Sequence, residues 1–323
     1  MKNILLITFS IFLSSNIHSQ SVTNIEVQIK KKTFVYKNIN KISIKADLFQ
    51  TGDNNTIKPG IIWIHGGGLI FGSRTDLPEE QMKFYLANGY SVVSIDYRLA
   101  PETKLPDIVN DIKDAIQWVR LKGPDSLGID SNKIFVIGHS GGAYLALVSG
   151  YFVENPPKAI VSFYGYGDIQ GEWYSKPNSF FLTQPLINED EVKKLIRDSV
   201  ITSASFEERF NIYLFSRQKG LWPLLVSGHD PVKEIEWFDR YCPLKNINAN
   251  YPPVLLIHGD KDTDVPFEQS VLMDRKLELN NIKHEFIRVK NYGHVFDLFE
   301  GGLTNPEISK VFTEVMDFLN SNR

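Results

Sequence analysis

The chain has 323 residues, of which 42% are hydrophobic and 12% aromatic, and its formal net charge is −3. This length and composition allow a sizeable buried core and so exclude an intrinsically disordered chain. Its 35 Lys and Arg residues are balanced by 38 Asp and Glu residues, and no basic block occurs. Nucleic acid is therefore not an expected partner.

The first twenty residues have the layout of a secretory signal peptide. Lys2 precedes an apolar run at residues 4–13, and polar residues with the small Ser19 follow. The apolar run is too short to span a bilayer comfortably, so we predict cleavage after Ser19, with Gln20 as the alternative last residue removed. Residues 1–19 are thus expected to direct export to the periplasm or the extracellular space, without a membrane span in the mature protein. An uncleaved membrane anchor is the alternative.

Cys242 is the only cysteine in the chain. An exported protein with a single thiol has no internal disulfide, so its stability must come from its core. No cysteine-protease signature surrounds Cys242, which favours a buried structural thiol over a nucleophile.

Strand patterns and helix patterns alternate along most of the chain. Two partly alternating, β-branched stretches near the start predict antiparallel strands at a sheet edge, and later apolar runs predict buried strands. The predicted strands are residues 25–37, 42–49, 61–64, 91–95, 134–137, 159–163, 254–257 and, as an edge strand, 285–289. Apolar residues spaced by three and four predict helices at residues 107–121, 143–152, 267–279 and 306–319. The alternation predicts an α/β fold whose mostly parallel sheet is covered by helices on both faces.

The segment from about residue 168 to 250 interrupts this alternation and is rich in aromatic residues. A structureless loop of this length is improbable, so we predict an inserted, largely helical cap between two strands of one domain, residues 20–323. The aromatic residues are expected to cover a pocket, to form a packing layer, or to do both. Deletion of the cap is expected to alter substrate preference.

Ser140 lies within the sequence Gly-His-Ser-Gly-Gly at residues 138–142, after a predicted strand and before a predicted helix. A serine at such a sharp turn needs small neighbours, and the flanking glycines leave its hydroxyl exposed above the sheet. We therefore predict Ser140 as a nucleophile. The start of the following helix favours negative charge, so the N–H of Gly141 is expected to face a developing oxyanion.

Residues 65–68, His-Gly-Gly-Gly, directly follow the first predicted parallel strand. Acyl transfer needs two or three N–H donors about 3 Å from the oxyanion, and glycines let the backbone turn toward that point. We therefore interpret these residues as an oxyanion loop, in which His65 has a structural role.

A base and an orienting acid are expected late in the chain, in the order serine, acid, histidine. His294 lies in a turn after a strand and is the predicted base, since His284 opens a strand, where the pleat would restrain its ring. The sequence after residue 257 offers three carboxylates, Asp260, Asp262 and Asp264, as the acid that holds the imidazole. Spacing alone does not separate the three.

Together these residues resemble the α/β-hydrolase superfamily over roughly residues 60–320. Residues 65–68 continuing to 71–73, and the sequence Asp-Tyr-Arg-Leu-Ala-Pro-Glu at 96–102, are similar to the branch of hormone-sensitive-lipase-like esterases. The resemblance implies an α/β-hydrolase fold, assigns two of the oxyanion donors to Gly67 and Gly68, and selects Asp262 as the acid.

The residues around Ser140 depart from that branch, which usually has Asp-Ser-Ala where this chain has His-Ser-Gly. This part is more similar to secreted acetyl-xylan and feruloyl esterases or to the catalytic domain of prolyl oligopeptidases. We therefore expect a serine esterase acting on short-chain acyl or acetyl esters, sugar-linked ones included, with no metal or cofactor. The alternatives are a prolyl-oligopeptidase-like peptidase, an arylformamidase-like amidase and a hydrolase-like binding module without activity.

Overall fold

The computed structural model describes residues 28–52 and 56–323. The predicted signal peptide, residues 1–19, lies outside the described residues. Across the two described ranges, every helix is too short or too polar to cross a membrane.

The described residues form one sheet of eight strands. The strands are β1 Ile29–Ile39, β2 Ile42–Thr51, β3 Lys58–Ile64, β4 Ser91–Ile95, β5 Ile129–His139, β6 Ile160–Phe163, β7 Val254–Gly259 and β8 His284–Val289. Their order in the sheet is β1-β2-β4-β3-β5-β6-β7-β8. β1 pairs with β2 and β2 with β4 in antiparallel fashion, whereas every later pairing is parallel. The predicted antiparallel edge and mostly parallel sheet are therefore confirmed.

In the described ranges, twelve α-helices connect or cover these strands. They are α1 Glu79–Ala87, α2 Leu105–Lys122, α3 Gly141–Phe152, α4 Glu172–Ser175, α5 Glu189–Leu195, α6 Phe206–Lys219, α7 Trp222–Ser227, α8 Ile235–Asp239, α9 Pro243–Asn246, α10 Glu268–Leu279, α11 Phe296–Phe299 and α12 Pro306–Ser321. The four predicted helices correspond to α2, α3, α10 and α12. Helix α1 was not predicted, because its buried face includes a polar residue, Gln81, beside only three apolar ones.

Both faces of the sheet are buried under helices. Along β3, Ile62 and Ile64 belong to a core cluster that includes residues of α2, α3 and α10. Ile61 and Trp63, which alternate with them, belong to a second cluster that includes residues of α1 and α12. This explains why the central strands are continuous apolar runs in the sequence, since neither face of a doubly covered strand meets water.

The segment between β6 and β7 contains helices α4 to α9, which confirms the predicted helical cap. Its longest helix, α6, begins at a capping box formed by Ser205 and Glu208 and ends at Gly220, which has a positive φ of 67°. Tyr174 and Trp222 stack on each other, with ring centroids 4.1 Å apart, and both are buried in the core. Part of the cap is therefore a packing layer.

Cys242 is buried at the start of α9, where its thiol donates a hydrogen bond to the carbonyl oxygen of Gly167 at 2.9 Å. Burial, with a smaller contribution from the Asp168 carboxylate, raises the pKa of this thiol to about 12. A protonated, buried thiol fits the structural role predicted for Cys242.

Candidate active site

Ser140 lies at the tight turn between β5 and α3, with φ 53° and ψ −118°. A positive φ is rare for a residue with a side chain, so the surrounding structure must hold this conformation. A Cβ on Gly142 would overlap the carbonyl oxygens of Ile64 and His65, and one on Gly138 would overlap the backbone of Gly142. The glycines at these two positions are thus required for the turn to pack against β3.

The structure brings Ser140, His294 and Asp262 together at one edge of the sheet. They follow β5, β8 and β7, whose carboxyl ends lie side by side because the strands are parallel. The Ser140 hydroxyl lies 3.0 Å from His294 Nε2, and His294 Nδ1 lies 2.6 Å from Asp262 Oδ2. These distances are those of a nucleophile, a general base and an orienting acid.

Asp262 is fully buried and every hydrogen-bonding direction around it is used. Its Oδ1 accepts the backbone N–H groups of Asp264 and Val265 at 2.8 and 2.9 Å. Burial by itself would raise the pKa of Asp262, but the imidazole of His294 and hydrogen bonds from His258 and His294 hold it well below the usual range. Asp262 is therefore a carboxylate at neutral pH.

His258 is a second histidine in contact with Asp262, and it was not among the residues predicted for the site. Its Nε2 lies 3.1 Å from both Asp262 Oδ2 and the Val265 carbonyl oxygen. Because both partners are acceptors, the proton of a neutral His258 lies on Nε2, and the Ser270 hydroxyl donates to Nδ1 at 2.7 Å. The sequence feature that indicates this contact is the position of His258 four residues before Asp262.

The charges around His294 favour its protonated form. Burial lowers the pKa of the imidazole, but the Asp262 carboxylate and, to a smaller extent, Asp264 outweigh burial and raise the pKa above its ordinary value. An imidazole that readily accepts a proton is what a general base requires.

The other residues considered for these roles lie elsewhere. Asp260 accepts hydrogen bonds from Arg288 at 2.7 and 2.9 Å and from the backbone N–H of Asn291 at 2.7 Å, so both of its oxygens have other partners. His284 is the first residue of β8, and its Nε2 lies 3.3 Å from Asp274 Oδ1. Asp264 comes within 3.9 Å of His294 Nε2, but on the cavity side rather than at Nδ1. Geometry thus separates Asp262 from Asp260 and Asp264, which spacing could not do.

The glycine loop after β3 lies beside Ser140. Gly67 and Gly68 have positive φ values of 93° and 57°. The Gly67 carbonyl accepts from the N–H groups of Ile70 and Phe71 at 2.9 and 3.2 Å, which turns the N–H of the same peptide, that of Gly68, the opposite way. A Cβ on Gly141 would lie 3.1 Å from that Gly68 nitrogen, so the two backbone segments are adjacent.

The cap holds this glycine loop through two buried side chains. The indole N–H of Trp222 donates to the Gly68 carbonyl at 2.8 Å. Arg209 donates to the carbonyl oxygens of Ile70 and Ala100 at 2.8 and 2.7 Å and also pairs with both oxygens of Glu102. Neither residue belongs to a local motif, so their contacts with the loop could not be predicted from the sequence.

A buried polar network around Asp297 connects the turn that contains Ser140 to the loop that contains His294. Asp297 is fully buried and accepts from Tyr164 at 2.6 Å and Gln81 at 2.7 Å, and its Oδ2 lies 3.0 Å from His139 Nε2. Tyr164 in turn lies against His294, with ring centroids 4.7 Å apart. Burial opposes ionisation of Asp297, but His139 and these hydrogen bonds lower its pKa.

A cavity of about 600 Å³ opens over Ser140. Its walls are mainly aromatic, and they come from the glycine loop, the cap and α11. The lining side chains include Trp63, Phe71, Tyr164, Phe180, Phe181, Phe206, Phe210, Tyr213, Leu298 and Phe299, with the carboxylates Asp76, Glu207 and Asp264. Part of the cap therefore also covers the pocket, so both roles expected for its aromatic residues occur.

Among the residues that the structure describes, no group of three or more His, Cys, Asp or Glu side chains is arranged to hold a metal ion.

Comparisons with known proteins agree with the fold described above. A family model described as BD-FAE matches residues 46–277. A protein of unknown function from Staphylococcus aureus has a TM-score of 0.73 at 27% identity, covering 90% of this chain and 98% of that one. An α/β hydrolase superfamily protein from Enterococcus faecalis has a TM-score of 0.70 at 24% identity, covering 90% of this chain and 99% of that one. A propionate-bound esterase from Thermogutta terrifontis has a TM-score of 0.63 at 21% identity, covering 91% and 94%.

Curated relatives include the non-reducing polyketide synthase atr1 of Stereocaulon alpinum, 29% identical over 303 residues. A second is the non-reducing polyketide synthase Preu6 of Preussia isomera, 27% identical over 300 residues. Each match covers 83% of this chain but only 12% and 14%, respectively, of those much longer proteins.

Proposed function

Since this chain belongs to the BD-FAE family of α/β hydrolases, we propose that it is a serine esterase that cleaves carboxylic esters. The observation that carries the proposal is the continuous hydrogen-bonded series from Ser140 Oγ through His294 to Asp262, at 3.0 and 2.6 Å. A serine hydroxyl is a weak nucleophile at neutral pH and needs such a base to attack a carbonyl carbon.

In the proposed mechanism, Ser140 Oγ attacks the ester carbonyl while His294 Nε2 takes its proton. Asp262 stabilises the imidazolium that forms and holds it in the required orientation. The N–H groups of Gly67, Gly68 and Gly141 stabilise the oxyanion. His294 then protonates the departing alcohol. A water molecule, deprotonated by the same histidine, attacks the acyl-enzyme, and His294 returns that proton to Ser140 Oγ as the carboxylic acid leaves.

We propose short-chain acyl or acetyl esters, sugar-linked ones included, as the substrates. The aromatic cavity wall suits the apolar part of an ester, and its carboxylates suit a polar alcohol. The cavity of about 600 Å³ is much larger than an acetyl group, so most of it is available to the remainder of the substrate.

The test is hydrolysis of p-nitrophenyl acetate, butyrate and octanoate by the protein and by a Ser140→Ala variant. We expect turnover that the substitution lowers on the order of a millionfold. A fluorophosphonate probe is applied in parallel and should label Ser140. Labelling without hydrolysis of any ester would instead favour the peptidase or amidase, and absence of both would favour a binding module.

Export is a separate proposal that rests on residues 1–19 alone. Mass spectrometry of the protein recovered from its native host should find a chain that begins at or next to Gln20. Recovery of a chain that retains residues 1–19 would overturn this proposal and leave the esterase proposal intact.

A further inference from the structure

Asp264 is a carboxylate of the active-site cavity that the proposed mechanism does not use. Its Oδ1 accepts from the Tyr213 hydroxyl at 2.6 Å and from Arg217 Nη1 at 2.8 Å. Its Oδ2 lies 3.9 Å from His294 Nε2, and the residue lines the cavity. One oxygen is thus held by the cap, while the other is available to a molecule in the cavity.

Arg217 supplies the charge that balances this carboxylate. Its side chain is fully buried, and its Nη2 also donates to the Asp264 carbonyl at 2.9 Å. The guanidinium carbon lies 4.6 Å from the ring centroid of Tyr174 and 4.9 Å from that of Phe181. Burying a cation is costly unless it is paired, so Arg217 and Asp264 stabilise each other beside an otherwise aromatic wall.

The position of Asp264 relative to His294 identifies which part of a substrate it meets. In a serine hydrolase the base returns its proton to the leaving group, so the alcohol oxygen must come within hydrogen-bond distance of Nε2. Asp264 Oδ2 lies only 3.9 Å from that nitrogen. It therefore flanks the alcohol portion of the ester rather than the acyl portion.

We propose that Asp264 recognises a hydroxyl group of the alcohol, on the carbon adjacent to the one that carries the ester oxygen. A hydroxyl at that position can reach Oδ2 at about 2.7 Å, the usual length of an O–H···O hydrogen bond. The favoured substrates are then monoesters of vicinal diols, a class that includes glycol, glycerol and sugar monoesters. This inference rests on the proposed esterase function and names its alcohol specificity.

The test compares three acetates that differ at one position: 2-hydroxyethyl, 2-methoxyethyl and propyl acetate. The methoxy ester keeps the second oxygen but has no donor, and the propyl ester lacks both. For the wild-type protein we expect kcat/KM for the hydroxy ester to exceed the other two about tenfold or more, as a hydrogen bond to a charged acceptor provides. In Asp264→Asn this ratio should fall about tenfold.

Glu191→Gln is the control, because Glu191 is an exposed carboxylate of the cap, in the first turn of α5, and is not among the residues that line the cavity. It should leave the ratio between the esters unchanged. Labelling of Ser140 by the fluorophosphonate probe and thermal unfolding show whether Asp264→Asn is folded. The wild-type comparison of the three esters tests the proposal even if that variant is not.

Equal kcat/KM for the three esters in the wild-type protein would overturn the proposal while leaving the esterase function in place. An equal fall for all three in Asp264→Asn would do the same, since Asp264 would then act only on His294. Absence of hydrolysis of every ester would overturn the esterase function itself and the inference with it.

Discussion

At the residue scale, the charge of His294 decides when the proposed enzyme is active. The base must be neutral to accept the serine proton, and its pKa is raised by Asp262 and, to a smaller extent, by Asp264. Activity should therefore fall as the pH drops through this raised value. In the pH profile of kcat/KM we expect the midpoint of the acid limb to lie above about 6.5, the ordinary pKa of histidine.

The contribution of Asp264 to this limb can be measured separately. Replacing Asp264 by Asn removes a negative charge 3.9 Å from His294 Nε2, so the midpoint should move to lower pH. Glu191→Gln should leave the midpoint where it is. An acid limb whose midpoint lies below pH 6 in the wild-type protein would contradict the charge arrangement described for His294.

Asp297 is a residue whose charge affects stability. It is fully buried, and replacement by Asn removes the charge that faces His139 and keeps the shape of the side chain. The buried carboxylate accepts hydrogen bonds from Tyr164 and Gln81, and hydrogen bonds to a charged acceptor are worth about 1.5–3 kcal/mol. The substitution should therefore lower the free energy of unfolding by about 2 kcal/mol, as measured by urea denaturation. Asp317→Asn, on the exposed face of α12, is the matched control and should change it little.

The pH dependence of this effect has a definite sign. The pKa of Asp297 is lowered in the folded protein, so its stabilisation is complete above the unfolded-state value of about 3.9. The stabilisation is lost as the pH falls through the lower folded-state pKa. The difference between wild type and Asp297→Asn should therefore narrow below about pH 4, and a difference that widened there would contradict the assignment.

At the scale of elements, helices α6 and α7 of the cap hold the glycine loop after β3 in place. The Trp222 indole N–H is the donor that fixes the Gly68 carbonyl, at 2.8 Å, and Arg209 does the same for Ile70. Oxyanion stabilisation depends on N–H donors that are already oriented before the reaction. The cap is thus expected to act on the catalytic step as well as on substrate fit.

Trp222→Phe tests this role, because it keeps an aromatic ring and removes only the N–H donor. We expect kcat to fall about tenfold, less than the roughly 10²–10³-fold that follows direct loss of an oxyanion donor, with little change in KM. Affinity for a boronic acid, which mimics the tetrahedral intermediate, should fall by a similar factor.

Trp173→Phe is the control for this substitution. Trp173 is also a cap tryptophan, but its indole N–H donates to the Asp168 carbonyl and not to the glycine loop. Its kcat and boronic acid affinity should stay close to wild type. Equal falls in kcat for the two substitutions would mean that Trp222 supports packing rather than the glycine loop. A change in KM alone for Trp222→Phe would mean the same.

At the scale of the whole molecule, the cap segment also contains the connection between two parallel strands. β6 ends at Phe163 and β7 begins at Val254, and a parallel pair needs a crossover of a dozen or more residues. Deleting residues 168–250 would remove that crossover, expose the buried Tyr166 and remove Arg209 and Trp222. A change in substrate preference could therefore be observed only if the shortened chain still folded.

We expect that deletion to abolish both cooperative thermal unfolding and hydrolysis of p-nitrophenyl acetate. Calorimetry and the acetate assay on the purified variant provide the measurement. A variant that unfolded cooperatively, hydrolysed acetate at the wild-type rate and differed only in chain-length preference would show that the cap selects substrate without supporting the fold.

The sequence by itself determined the features that depend on neighbouring residues. The glycines around Ser140 indicate a backbone turn that larger residues cannot adopt, and the apolar runs indicate strands buried on both faces. The expected order of serine, acid and histidine, together with a position in a loop after a strand, selected His294 as the predicted base. These features were predictable because backbone conformation and the period of burial are local properties.

Only the tertiary structure decided which distant side chains meet. It placed Asp262 against His294, turned Asp264 toward the cavity and brought Trp222 to Gly68, 154 residues earlier in the chain. It also set the order of the strands, with β4 between β2 and β3. Such contacts depend on how whole elements pack, and closely spaced carboxylates or scattered aromatic residues leave no local pattern that specifies them.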